Sequence, residues 1–349
     1  MARIVLADDG IEFDGATPQK RPLGGAESSV VFLVQELAKR GHDVHVRNKC
    51  AAPVRHEGVD WAPIEIADRN LSLPEDTDLY IANRGDKLLT LMPKARRTVF
   101  WIHNPARYLL KWRYLSKLWR KRPVIVFIGA YHATTYPWWA PDGGRVVIPY
   151  GIPEVIHGDA VAADAPPPRA IFTSNPLRSL DWLLKVWAER VRPRVPGAEL
   201  HLFTGAATYG TVGEAKAREM LAVLEEARKA AAHGVVVRAP VPKAQLAEEL
   251  RASRVMLYRG DLNETFCLAV GEAQAMGVPA VVQRLGSVVE RVIDGETGIV
   301  ADDDDAFAEA AISLLTDDAL WRRHHTAALD KQRAWGWPEA AAAFEGLIP

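Results

Sequence analysis

The chain alternates short aliphatic runs with longer stretches in which apolar positions recur every three to four residues. The first run, ARIVLAD at residues 2–8, reads as a buried strand. A loop follows, ending in Leu23–Gly24–Gly25–Ala26–Glu27. A helix is expected over about 26–40, stopped by Gly41, and then a strand over His42–Arg47. Strand, glycine-containing turn, helix and strand in that order predict the opening of a doubly wound sheet. Further strands are expected at Leu79–Asn83, Thr98–His103, Val124–Gly129 and Arg145–Ile148.

Residues 153–169 are polar and proline-rich and read as a linker. The alternation then restarts. Strands are expected at Ala170–Thr173, Leu200–Thr204, Val235–Arg238, Val255–Tyr258, Ala280–Gln283 and near Gly298–Val300. Helices are expected over 179–190, 213–231 and 243–251. The pattern predicts an α/β chain of two Rossmann-like, doubly wound domains facing an interdomain cleft. The domains span 1–152 and 170–334, with a last helix in 335–349.

The stretch with the most chemistry is NETFCLAVGEAQAMGVPAVV, residues 263–282. It reads as a polar loop, a helix over about Phe266–Met276, a glycine stop and a buried strand. Glu264 precedes the helix, and Glu272 lies ~9 Å along its axis from Phe266. The first-turn amides between the two acids form an anion site favoured by the helix dipole. An extended ligand with hydroxyls at both ends and a phosphate in the middle matches that order, as a nucleotide sugar does.

This segment resembles the signature of the retaining glycosyltransferases of family 4, which have the GT-B fold. The resemblance implies that Glu264 holds donor-sugar hydroxyls and Glu272 the ribose, while the Thr265, Phe266, Cys267 and Leu268 amides hold the diphosphate. A glycine is usual in the family where Cys267 stands. Gly24–Gly25 resembles the family's glycine loop facing diphosphate and acceptor. Arg178, in a strand–helix loop, fits a cation that stabilises the leaving diphosphate. The family usually adds a lysine here, and the nearest, Lys185, comes a turn or two later. His103 ends an apolar strand, where ligands bind in such sheets, and resembles the family's cleft histidine. Tyr150–Gly151 occupies the place of a motif near the interdomain hinge. Pro240–Val241–Pro242 occupies that of the loop beside the nucleobase, so Val241 joins the donor set. Ser287 and Glu290 follow the strand after the signature, and Glu290 fits either support of that loop or open solvent.

The expectation is therefore a metal-independent, cofactor-free hexosyltransferase. It would use a UDP- or GDP-linked donor and a saccharide or lipid-linked acceptor in cell-surface polysaccharide, lipopolysaccharide or glycolipid synthesis. His103, Arg178 and Glu264 would carry catalysis. The alternatives are a non-catalytic or weakly active sugar-nucleotide-binding protein at a membrane surface and a GT-B nucleotide-sugar epimerase.

Composition changes this picture in one place. Hydrophobic and charged fractions of 48% and 25% are ordinary for a globular chain. Cys50 and Cys267 lie far apart without metal-site spacing and favour a reducing, cytoplasmic compartment. The N-terminus reaches Asp8 too soon for a signal-peptide core, and no run approaches a membrane span. The net charge of −1, however, is unevenly spread. Residues 1–150 hold 22 basic and 16 acidic residues, a net of +6, and the rest a net of −7. No acid occurs between Asp86 and Asp142. Within that segment Tyr108, Trp112, Leu115 and Trp119 fall on one helical stripe flanked by Lys111, Arg113, Arg120 and Arg122. The stripe fits either an anionic membrane surface on the inner face or burial against the first domain, and the flanking charge fits an anionic acceptor. No nucleic-acid motif accompanies it. Asp76–Thr77–Asp78 precedes a strand, and Asp302–Asp305 precedes a helix; both read as turn or cap charges without a metal.

Overall fold

The computed structural model describes residues 1–64, 73–74, 76–158, 161–205, 216–332 and 334–349. Two compact units emerge. Unit 1 comprises Met1–Lys20, Gly25–Gly151 and Gly336–Pro349, and unit 2 comprises Arg21–Gly24 and Ile152–Trp335.

Unit 1 runs β1 (Arg3–Asp8), α1 (Gly25–Lys39), β2 (Asp43–Asn48), β3 (Val54–His56), β4 (Val59–Pro63), β5 (Leu79–Asn83), β6 (Arg97–Trp101), α2 (Trp112–Lys121), β7 (Val124–Phe127), α3 (Ala130–Thr134) and β8 (Arg145–Val147). The sheet order is β3-β4-β2-β1-β5-β6-β7-β8. The pairings are parallel except β3 against β4. The β3–β4 hairpin was not expected from sequence. It turns on Glu57 and Gly58, both at positive φ (49° and 78°), and β3 has exposed Val54 and Arg55 instead of an apolar run. In β1, Ile4, Val5, Leu6 and Ala7 are fully buried, as a central parallel strand covered on both faces requires. Its register sets Asp8 beside Asn83, and Asn83 beside Trp101. Two neighbouring strands, β1 and β5, therefore end in polar residues at one edge of the sheet.

Unit 2 runs β9 (Arg169–Phe172), α4 (Leu180–Val186), β10 (Glu199–Phe203), α5 (Ala217–Lys229), β11 (Val235–Arg238), α6 (Lys243–Arg251), β12 (Val255–Leu257), α7 (Leu268–Ala275), β13 (Ala280–Gln283), β14 (Gly298–Ala301), α8 (Asp304–Thr316) and α9 (Asp318–Gln332). All its pairings are parallel, in the order β11-β10-β9-β12-β13-β14. Residues 213–215 of the helix expected over 213–231, and 159–160 of the expected linker, lie outside the described residues.

The last helix, α10 (Trp337–Glu345), belongs to unit 1 and packs on α1. Phe32 meets Trp337 at 6.1 Å between ring centroids. Glu345 pairs with Arg40, whose Nε donates at 2.7 Å, and with His42.

Two differences from expectation bear on the candidate site and the aromatic stripe. The signature helix starts at Leu268, because Cys267 is left-handed (φ 63°) and cannot continue a right-handed turn. The stripe from Tyr108 to Trp119 is not one helix. Ala106–Leu110 is a 3-10 turn, and Lys111 is extended (ψ 137°), so only Trp112 onward is α-helical. Asp76 and Asp78 pair with Arg3 and Arg96, and Asp303 caps α8 by accepting from the Ala306 amide.

Candidate functional site

In unit 2 the parallel order places β9 beside β12, which brings the loops after both strands together. The first loop carries Arg178 and the second carries Glu264. Arg178 Nη1 lies 3.3 Å from Glu264 Oε2 and 3.5 Å from Asp261 Oδ1. Neither contact is a hydrogen bond, and among the described residues that buried nitrogen has no acceptor. Burial opposes the Arg178 charge, but Glu264 and its neighbours more than offset it and hold the guanidinium pKa above its usual value. The Tyr258 hydroxyl donates to Glu264 Oε2. Burial, reinforced by the Glu264 charge, pushes the Tyr258 hydroxyl far above its ordinary range, so it acts as a neutral donor.

Both helix starts beside this pair follow a left-handed residue: Ser179 (φ 57°) before α4 and Cys267 (φ 63°) before α7. Left-handed backbone costs a non-glycine residue about 1–2 kcal/mol, so these turns are held by their surroundings. Cys267 is buried, and desolvation together with Glu264 keeps its thiol protonated. Thr265 and Phe266 are buried in the same turn, Leu268 opens α7, and the Arg291 guanidinium stacks 4.3 Å over the Phe266 ring. Ser287 donates its amide to the Glu264 carbonyl at 3.4 Å, and its buried hydroxyl has no partner among the described residues.

Glu272 is buried on α7, and Lys243 at the start of α6 donates to its Oε1. Val241 precedes Lys243 by two residues and packs on the unit 2 core. Lys185 is exposed on α4, so the second cation touching the signature acids is Lys243.

Unit 1 carries its own polar network at the strand edge. The Tyr150 hydroxyl bonds His103 Nδ1, and His103 Nε2 bonds Asn83 Oδ1. The Asn83 amide donates to Asp8 Oδ2. Because Asn83 uses its NH₂ on Asp8, its oxygen accepts from His103 Nε2–H, and Nδ1 accepts from Tyr150. Arg84 bridges Asp8 at 3.1 Å and Glu27 at 2.9 Å. Gly25 opens α1, two residues before Glu27, while Gly24 divides with unit 2. Next to the network lies a cavity of about 340 Å³ lined by Asp9, Arg84, Gly85, Asp86, Asn104, Tyr108, Arg113 and Tyr114. The buried Tyr108 hydroxyl has no partner among the described residues. Desolvation and the neighbouring Asp8 raise the Asp9 carboxyl above its usual value. Arg113 lines this cavity; Lys111, Trp112, Trp119 and Arg120 are exposed outside it.

Sequence reasoning missed Asp8, Asn83, Arg84, Tyr258 and Lys243. The first four stand at or one residue past the carboxyl ends of apolar strands, the same signal that singled out His103. Lys243 left no such trace.

Burial, then the nearby Arg84 charge, depresses His103 far below the ordinary histidine value, and burial lowers His132 to about 4. Below pH ~6.5 the unfolded chain therefore binds protons that the folded state refuses. Stability should be level above that pH and fall toward pH 4, by ~1.4 kcal/mol per pH unit for each such histidine. Denaturant titrations at neutral and mildly acidic pH check this, and a single His132→Gln change should flatten the slope.

The two parallel sheets define a GT-B fold. The structure superposes on sucrose-phosphate synthase from Thermosynechococcus elongatus with a TM-score of 0.75 at 16% identity, covering 99% of this chain and 98% of that one. It superposes on the Anabaena protein HepE in complex with UDP-glucose with a TM-score of 0.73 at 14% identity, covering 99% and 100%. Within that fold, residues 168–317 match the family model described as glycosyl transferases group 1. A D-inositol 3-phosphate glycosyltransferase of Xylanimonas cellulosilytica is 38% identical over 112 residues, 32% of this chain and 27% of the relative. The chain spans about a quarter of the length of the first curated relatives it matches.

Proposed function

We propose that the protein transfers a hexose from a nucleoside-diphosphate sugar, UDP- or GDP-linked, to a hydroxyl of a saccharide or lipid-linked acceptor, with retained anomeric configuration and without a metal. The observation that carries this reading is the buried Arg178 Nη1. It is a charged donor without a hydrogen-bond acceptor among the described residues, 3.3 Å from Glu264, beside the helix start that leads to Glu272. A diphosphate oxygen would supply the missing acceptor. Glu264, with Tyr258 already on Oε2, would accept from sugar hydroxyls through its other oxygen. Glu272, with Lys243 on Oε1, would do the same for the ribose.

Charge developing on the leaving diphosphate would fall to Arg178 and the amides of α4 and α7. The leaving phosphate would then take the acceptor proton, on the face it departs from. The cavity lined by Asp9 and Tyr108 suits a polyhydroxylated acceptor: the carboxylates accept from hydroxyls and the tyrosine donates. His103, neutral and held at both ring nitrogens, is better placed to orient Asn83 and Asp8 than to carry a proton.

The test is a thermal-shift panel of nucleoside diphosphates and their sugars, followed by product analysis with the donor that binds. Glu264→Gln should lower transfer ~10- to 100-fold, the loss of one charge-assisted hydrogen bond. Transfer within threefold of wild type would remove Glu264 from the mechanism. Cys267 favours one second reading, a nucleotide-sugar binder without turnover, because its side chain stands where the resemblance implies glycine. Donor binding with no product from any acceptor would select it.

A further inference from the structure

We propose that unit 1 docks on an anionic lipid bilayer through two pairs of exposed indoles set among cations. Trp112 and Trp119 are 74% and 69% exposed, and Trp138 and Trp139 are 88% and 58% exposed. Folded chains seldom leave indoles so bare, and clustered exposure marks an interaction surface. On α2, Tyr114 and Leu118 turn inward. Trp112 and Trp119 are seven residues apart, hence ~20° from the same direction and ~10 Å apart along the helix axis.

The second pair lies on a loop held against the end of α2. The Gly143 amide donates to the Pro123 carbonyl at 2.9 Å. The Arg145 guanidinium binds the carbonyls of Pro137, Trp138 and Ala140 at 2.8, 3.2 and 3.0 Å and covers the Tyr136 ring. These contacts fix the loop backbone while both indoles stay in solvent.

Charge decides the occupant. No acid occurs between Asp86 and Asp142, and Asp86 already pairs with Lys117 and Arg113. Among the described residues, Arg107, Lys111, Arg120, Lys121 and Arg122 have no carboxylate partner. A surface of one sign with bare indoles fits phospholipid headgroups over acyl chains, where indole settles at the interface and lysine and arginine meet phosphate.

The experiment is co-sedimentation of the full chain with phosphatidylglycerol-containing vesicles and with pure phosphatidylcholine vesicles, at low and high salt. Wild type should bind the anionic vesicles, more weakly at high salt, with indole fluorescence quenched by brominated lipid. Replacing either tryptophan pair by alanine should weaken binding ~10-fold or more, from the apolar area withdrawn. The melting temperature should not change, since the indoles are exposed. Two results overturn the proposal. One is no binding to anionic vesicles, or binding that survives loss of all four tryptophans. The other is a wild-type dimer that falls to monomers in the alanine variants, which would assign the patch to a second protein copy.

Discussion

Arg178→Ala is expected to lower the rate of sugar transfer about 10²–10³-fold, the usual cost of removing a preorganised charge stabiliser. Arg178 Nη1 is buried beside the start of α7, without a hydrogen-bond acceptor among the described residues. Little reorganisation is needed when negative charge grows on a leaving diphosphate. Because that charge is larger in the transition state than in bound donor, the loss should fall on kcat more than on donor affinity. Lysine should rescue only partly: its ammonium is a point charge on a flexible stem and lacks the guanidinium fork. The variant also leaves Glu264 and Asp261 facing each other without their cation, so its fold must be checked by circular dichroism. A folded Arg178→Ala enzyme with kcat within threefold of wild type would show that the diphosphate is stabilised elsewhere.

Gly151→Ala is expected to destabilise unit 1 by about 3 kcal/mol or more, at the upper end of overpacking. A Cβ on Gly151 would run into the backbone of Gly336 and Trp337, atoms that cannot rotate away as a side-chain tip can. Relief would require moving the start of α10, and with it the Phe32–Trp337 contact and the Glu345 pairs to Arg40 and His42. For a unit of this size the melting temperature should drop by about 6–12 °C. A calorimetric trace within about 2 °C of wild type would mean that the helix yields at little cost. Tyr150–Gly151, which the resemblance assigns to a functional motif, thus has two local roles: a hydroxyl on His103 and a place for backbone to pass close.

Arg178 and Cys267 illustrate different kinds of legibility. Arg178 could be picked out because a cation at a strand–helix loop is a local feature. That it meets Glu264, 86 positions later, follows from β9 and β12 being neighbours, which no local pattern encodes. Cys267 could be noted as standing in a glycine's place, but the left-handed φ that explains the glycine is a property of the folded turn. The aromatic stripe failed for a related reason. Periodicity treats 108–122 as one helix, whereas extended Lys111 separates Tyr108 from Trp112 and gives them different neighbours. The β3–β4 hairpin escaped because its exposed edge carries no apolar signal.

Apolar runs of four to six residues alternating with amphipathic stretches determined, by themselves, two parallel-sheet units and a polar strand-end edge in each. They also set the order of acid, helix start and acid over 264–272. These follow from periodicity and caps, which act over a few residues. Tertiary structure alone decided which charges meet: Lys243 with Glu272, Arg84 with Asp8 and Glu27, Arg178 with Glu264. It also turned Tyr114 inward and left Trp112 and Trp119 in solvent. Such pairings depend on strand order and on the faces that distant helices cover, so they become defined only when the whole unit packs.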